Sequence, residues 1–242
     1  MNRFTIRPEP HTKCSECPVR GLAWFEPGSQ EDAGRREQLR STQYQAPAGQ
    51  ILFQEGDTLR RAYTLYSGWV VRYKVLKNGQ RQVLSVALPG DFIGYRADFG
   101  VPLDYSAVAV TPVVLCSFSE YNIEALMQDD PTLTRKLIQI QCQQAQECRQ
   151  RLSYVGQAPA VQRFAMFLCE LTSRLSQRGI DVTQAIDIPL NREDIADAIG
   201  VTSVHLSRIS ADLRKKQIVD CRYNRLIPKD LEALQRLAYD NE

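Results

Sequence analysis

The sequence predicts an α+β protein in three parts: an antiparallel β-roll of the jelly-roll kind, one long helix, and a compact C-terminal helical domain closed by a β-hairpin. Three observations predict it. Between Tyr44 and Phe118 short apolar runs alternate with glycine corners, after Glu120 the apolar period becomes helical, and beyond Pro159 several short amphipathic helices follow one another. A chain of 242 residues, 43% of them hydrophobic, supplies ordinary cores for one large domain or two smaller ones. The predicted boundaries are a leader over 1–43, the roll over 44–126, the long helix over 127–156 and the helical domain over 157–242.

The leader contains "HTKCSECPVR", which sets His11, Cys14 and Cys17 at intervals of three. A C-x-x-C pair is half of a closed metal site, because zinc or an iron–sulfur cluster takes about four ligands and the others must come from elsewhere. With Arg3, Arg7, Glu9 and His11 the N-terminus lacks the apolar core of a signal peptide. No run approaches the roughly 20 apolar residues of a membrane span. A cytoplasmic location is expected, so the seven cysteines read as reduced thiols, metal ligands or redox sensors rather than as a disulfide framework.

In the roll, Asn78-Gly79 separates "WVVRYKVL" from "RQVLSVAL", a hairpin signal because that pair tolerates the positive φ of a tight turn. Gly49, Gly56, Gly68, Gly90 and Gly94 mark further corners. Short strands at this spacing favour a sandwich over a parallel α/β sheet. Helical spacing then runs from Leu133 to Val155, where Ile138, Ala145, Cys148, Leu152 and Val155 recur at steps of three and four, interrupted by Gln141. The stripe predicts a seam with a second copy of the chain, and packing on its own roll is the alternative. Cys142, Cys148, Cys169 and Cys221 read as small buried thiols, with the reservation that Cys148 on the seam would face its twin.

Gly156 and Pro159 predict a hinge, followed by helices over Ala160–Leu175, Arg192–Ile199, Ser203–Lys216 and Lys229–Tyr239. In "NREDIADAIGVTSVHLSRISADLRKK", Asn191 is a good cap for the helix that begins at Arg192, and Gly200 ends it. Thr202 and Ser203 cap a second helix in which Val204, Leu206, Ile209 and Leu213 alternate with polar residues. Two short helices joined by a glycine turn match a helix-turn-helix. "QIVDCRYNRLI", two β runs about Tyr223-Asn224, reads as the hairpin of a winged helix.

The net charge of +2 is nearly neutral, so binding to nucleic acid must rest on a local basic stripe. The second helix fits a major groove. Arg208 is the first choice for reading guanine, because its fork donates two hydrogen bonds to O6 and N7. Ser203, His205 and Ser207 are candidates for base or phosphate contacts, and Val204 for a thymine methyl. Arg192, Arg214, Lys215 and Lys216 are candidates for phosphate. The competing reading of each side chain is a solvated helix face.

After Tyr44 nearly the whole chain resembles the CRP/FNR family of bacterial transcription regulators. "AYTLYSGWVVRYKVLKNGQRQVLSVALPGDFIG" is similar to its cyclic-nucleotide-binding-like sensor roll, Leu133–Val155 to its dimer helix and "LNREDIADAIGVTSVHLSR" to its helix-turn-helix. The resemblance implies a homodimer that binds an inverted-repeat operator on double-stranded DNA, with recognition helices one DNA turn apart, and contacts with RNA polymerase. Members of familiar operator preference carry a glutamate where this chain has Val204. Valine cannot accept a hydrogen bond from cytosine N4, so a different operator is expected.

For the signal, the resemblance points two ways. Nucleotide-binding members hold the cyclic phosphate with a basic element, where this chain has Asp104-Tyr105-Ser106-Ala107, with Arg96 the only local cation noted; cyclic AMP is not expected. The FNR branch holds a [4Fe–4S] cluster on four cysteines. Cys14, Cys17 and Cys116 resemble three of them, while Ala23 stands at the remaining position, leaving His11 as a candidate fourth ligand for a cluster or zinc. The cofactor is left open among that metal site, thiol–disulfide sensing by Cys14 and Cys17 with or without Cys116, and a pair that does not sense. A β-roll metal enzyme would need clustered histidines, and the chain has two histidines, His11 and His205. No nucleophile elbow or phosphate loop is present, so an enzyme is not expected. A winged helix that meets protein instead of DNA is the third class considered.

Overall fold

The computed structural model describes residues 4–8, 11–23, 37, 39–222 and 224–239. Tyr223, expected in the turn of the wing, lies outside them. The chain divides into two compact units, Met1–Lys74 with Leu84–Gln146, and Val75–Val83 with Glu147–Glu242.

The first unit is the predicted roll. The strands of the roll are β1 (Thr5–Ile6), β2 (Thr42–Ala46), β3 (Ile51–Phe53), β4 (Arg61–Ser67), β5 (Val70–Val75), β6 (Arg81–Ala87), β7 (Phe92–Ile93), β8 (Ser106–Ala109) and β9 (Val113–Ser119), with the last residue of β5 and the first three of β6 falling in the second unit. They form two sheets, ordered β1-β2-β9-β4-β7 and β3-β8-β5-β6. Alternation explains the layering, since successive side chains of a strand point to opposite faces. One face of the first sheet carries Tyr44, Ala46, Tyr63, Leu65, Val113 and Leu115, which pack with Leu52, Phe53, Val70, Ala107 and Ala109 of the second sheet. The opposite face carries Ala62, Cys116 and Phe118. It is covered by the leader through Cys14 and Ala23, by α1 (Glu120–Asp129) through Ile123 and Leu126, and by Leu133 and Leu137 at the start of α2 (Pro131–Gln157). The turn between β4 and β5 needs its glycine: Gly68 has φ +89°, and a Cβ there would sit 2.4 Å from the Pro112 carbonyl oxygen.

The long helix spans Pro131–Gln157, starting later than the predicted 127 and running through Gly156, so that of the expected hinge residues only Pro159 falls at the break. Four of the five residues of its stripe are left exposed by this chain. Ile138 is 57% and Leu152 74% exposed, Ala145 and Cys148 are exposed, and Val155 is half-buried. Cys142 and Cys148, expected as buried thiols, are both exposed: Cys142 lies on the side of α2 opposite Leu133 and Leu137, and Cys148 follows Leu137 by about three helical turns; Cys169 is buried and Cys221 half-buried.

The second unit holds α3 (Ala160–Ser176), β10 (Ile186–Asp187), α4 (Arg192–Ile199), α5 (Ser203–Lys215), β11 (Val219–Arg222), β12 (Arg225–Pro228) and α6 (Leu231–Tyr239). Phe164, Leu168 and Leu175 of α3, Ile195 and Ile199 of α4, and Leu206, Ile209 and Leu213 of α5 are buried. Each such side chain contributes roughly 1.5–3 kcal/mol when fully buried. A polar lock joins α2 to α3: Arg151 Nε donates to Glu170 Oε2 at 3.1 Å, and its Nη2 donates to Glu170 Oε1. The segment 75–83 belongs to this unit, where Arg81 donates to Asp194 at 2.6 Å and to Asp197 at 2.7 Å.

Candidate nucleic-acid interface and cysteine pocket

Local chemistry sets the helix-turn-helix. Asn191 Oδ1 accepts from the Asp194 amide at 2.7 Å and Asp194 Oδ2 accepts from the Asn191 amide at 3.3 Å, a reciprocal capping box that fixes the start of α4. Gly200 closes that helix at φ +67°, a left-handed conformation that costs glycine little. Thr202 then accepts from the His205 amide at 3.2 Å and starts α5; Ser203 is its first residue rather than a second cap.

The burial pattern orients α5. Leu206, Ile209 and Leu213 face the core, whereas Val204, His205, Arg208, Asp212 and Lys215 are exposed. Val204 is 62% exposed, an apolar side chain held out in water. Ser203, Ser207 and Arg214 lie half-buried at the flanks, with the Ser207 hydroxyl donating to the Ser203 carbonyl at 2.7 Å. Arg192 and Lys216 are exposed at the start of α4 and the end of α5. Asp212 escaped the sequence reading; it sits four residues after Arg208, and its spacing was the available clue. The wing is the antiparallel pair β11–β12, with β10 as third strand, and Asn224 at φ +60° makes its turn.

The description "Cyclic nucleotide-binding domain" belongs to the family model that matches residues 44–130, and "Crp-like helix-turn-helix domain" to the one that matches residues 162–237. The nitrogen fixation regulation protein FixK of Rhizobium meliloti (strain 1021) is 30% identical over 179 residues, 74% of this chain and 78% of that protein. The chain belongs to the CRP/FNR family of transcription regulators. It is a DNA-binding regulator and not an enzyme. The FixK of Bradyrhizobium diazoefficiens is 29% identical across 95% of this chain and 96% of that protein. The solved structure of FixK2 from Bradyrhizobium japonicum has a TM-score of 0.75 at 23% identity, covering 83% of this chain and 98% of that one, a likeness of fold.

In this CRP/FNR regulator the leader lies on the outer face of the first sheet. Cys116 is paired across the ladder with Gln43 on one side and Thr64 on the other. Its Sγ accepts from Gln43 Nε2 at 3.2 Å, and Gln43 Oε1 accepts from Arg7 at 2.8 Å. Cys14, in a short 3₁₀ turn at Cys14–Glu16, gives its amide to Glu37 Oε2 at 3.0 Å, and its Sγ lies 3.9 Å from Arg40 Nη1. Arg40 Nη1 also donates to the Thr12 carbonyl at 2.7 Å, with the whole side chain 7% exposed. Burial pushes the Cys14 thiol up to about 11, with Arg40 partly opposing it, and burial likewise raises Cys17 and Cys116.

These residues do not fit the metal site that the family resemblance implies. Ala23 is fully buried where the resemblance places a further cysteine, and the enclosed Arg40 guanidinium occupies the space beside the Cys14 sulfur. Among the described residues no group of three or more His, Cys, Asp or Glu side chains is placed to hold a metal ion. Arg40 and Gln43 escaped the sequence reading, since nothing in the spacing ties Arg40 to a cysteine 26 residues earlier.

The roll also carries an open cleft of about 470 Å³ lined by Arg72, Tyr95, Arg96, Asp104, Tyr105, Gln141 and Gln144, among others. Arg96 pairs with Asp104 at 3.2 Å. Arg72 corrects the expectation of a single local cation. Its Nε donates to the Ser85 hydroxyl at 2.6 Å and its guanidinium lies over the Tyr105 ring.

Proposed function

We propose that this regulator acts as a homodimer, joined along the Ile138–Ala145–Cys148–Leu152–Val155 side of α2, and inserts α5 of each subunit into successive major grooves of an inverted-repeat operator. The observation that carries this reading is the capped α5 with Val204, His205 and Arg208 held out in solvent above a buried Leu206–Ile209–Leu213 face. Arg208 reads guanine, Val204 contacts a thymine methyl, and Ser203, His205 and Ser207 make further base or phosphate contacts. Arg192, Arg214, Lys215 and Lys216 hold phosphates, and RNA polymerase is met from the operator-bound dimer in the cytoplasm.

The signal is read at the roll. The open cleft lined by Arg72, Tyr95, Arg96, Asp98, Asp104 and Tyr105 supports a small polar ligand better than the closed, raised-pKa thiols support redox chemistry. Asp104, already paired with Arg96, disfavours a cyclic phosphate there.

Selection of binding sites from random duplex DNA tests the reading. An inverted repeat should emerge, with affinity falling steeply as salt rises because bound phosphates release counterions. Arg208→Ala should relax specificity at one base pair per half-site. Absence of DNA affinity with and without reductant would overturn it.

A further inference from the structure

The cysteine motif near the N-terminus looks like part of a metal centre, yet its surroundings are built for something else. A buried guanidinium lies against the Cys14 sulfur, bonded to the Thr12 carbonyl at 2.7 Å and paired with Glu37 at 3.9 Å. The Gln43 amide, fully buried, is oriented by Arg7 so that its N–H donors point at Cys116. Thr12 adds a hydroxyl donation to Tyr66 at 3.2 Å, and β1 pairs with β2 through Thr5↔Gln45 and Ile6↔Tyr44. The Arg40 contacts hold the leader's segments to one another, while Arg7–Gln43, Thr12–Tyr66 and the β1–β2 pairing tie it to the sheet.

We propose that Arg40 takes the place of a metal ion in this pocket and turns the cysteine motif into a metal-free clasp that fixes the leader on β2 and β9. Arginine suits the task because it stays charged and offers five donors in a rigid fork, enough to satisfy a carbonyl, a carboxylate and a sulfur together. Ala23 completes the change: its methyl packs with Cys14, Cys116 and Phe118, where a ligating side chain would have to reach inward. The cysteines act here as small apolar side chains with weak acceptor sulfurs. The clasp operates independently of the DNA-binding surface, so the proposal stands or falls apart from the operator reading.

The full chain, purified without oxygen, should be titrated first with zinc and then, separately, with ferrous iron and sulfide. No stoichiometric metal and no visible charge-transfer band are expected. One equivalent of zinc or a cluster, lost in Cys14→Ser, would overturn the proposal. The double variant Ala23→Cys with Arg40→Met should gain zinc binding that Ala23→Cys alone lacks. Equal binding by the two variants would show that Arg40 is not what excludes the metal. Limited proteolysis supplies a readout without metal: Arg40→Met should speed cleavage ahead of Thr42 about tenfold, the scale of one lost buried hydrogen bond. An unchanged cleavage rate would remove the clasp.

Discussion

Arg40 and Arg208 are both arginines close to a recognisable motif, and the fold gives them opposite fates. Arg40 is sequestered within the leader and bonds to a carbonyl, a sulfur and a carboxylate of its own chain. Arg208 is exposed on α5, where its neighbours on the face are Val204, His205, Asp212 and Lys215. A buried guanidinium must have its donors satisfied within the protein, because losing water without replacement costs more than the bond returns. An exposed one keeps its fork for a ligand. The environment decides what the residue does.

The largest test of that contrast uses a third arginine. Arg151 is half-buried with Glu170, 15% and 22% exposed, so Arg151→Met should cost about 3 kcal/mol of stability by leaving a largely enclosed carboxylate without its partner, measured by urea unfolding. A loss below about 1 kcal/mol would put this pair in the class of exposed ion pairs.

Arg40 and Arg208 themselves should then separate two observables. Arg208→Ala should weaken operator binding about 10- to 100-fold, worth about 1–3 kcal/mol, while changing stability by about 0.5 kcal/mol or less. Arg40→Met should do the reverse, lowering stability by about 1–3 kcal/mol while the folded fraction binds DNA as before. Titration of operator alongside thermal melts reads both, and a variant that moves both observables together would break the comparison.

The smallest effect concerns pH. Burial raises the Cys169 thiol to about 11, and burial with Asp220 beside it raises Cys221 to about 11, with Arg192 partly opposing the latter. The unfolded thiols titrate near the ordinary value of 9.0, so the stabilisation from burying neutral thiols is fully present below pH 9 and is lost as pH climbs to about 11. Melting temperature followed across that window should fall, and Cys169→Ala should flatten the fall.

Much of the interface was legible because it is local. The Asn191–Asp194 box, the Gly200 turn and the Thr202 cap each act within about one helical turn, and the 3.6 period of α5 sorts Leu206, Ile209 and Leu213 from Val204 and Arg208. The strand alternation of Tyr63, Leu65, Val113 and Leu115 is equally local and gave the roll. Asp212 is the exception on that face, passed over because an acid does not advertise DNA.

The cysteine pocket was legible only as a set of ligand types. Its contents depend on contacts such as Gln43 with Cys116, 73 residues apart, and Arg40 with Cys14, 26 apart. The same holds for Cys142, whose exposure depends on which side of α2 meets the roll. By itself, then, the sequence determined the strands, the capped helices and the residues that face outward from α5, since caps, turns and periodicity are interactions between near neighbours. Only the tertiary structure decided that a guanidinium fills the cysteine pocket and that one stripe of α2 is left uncovered, because burial is a property of what distant segments bring together.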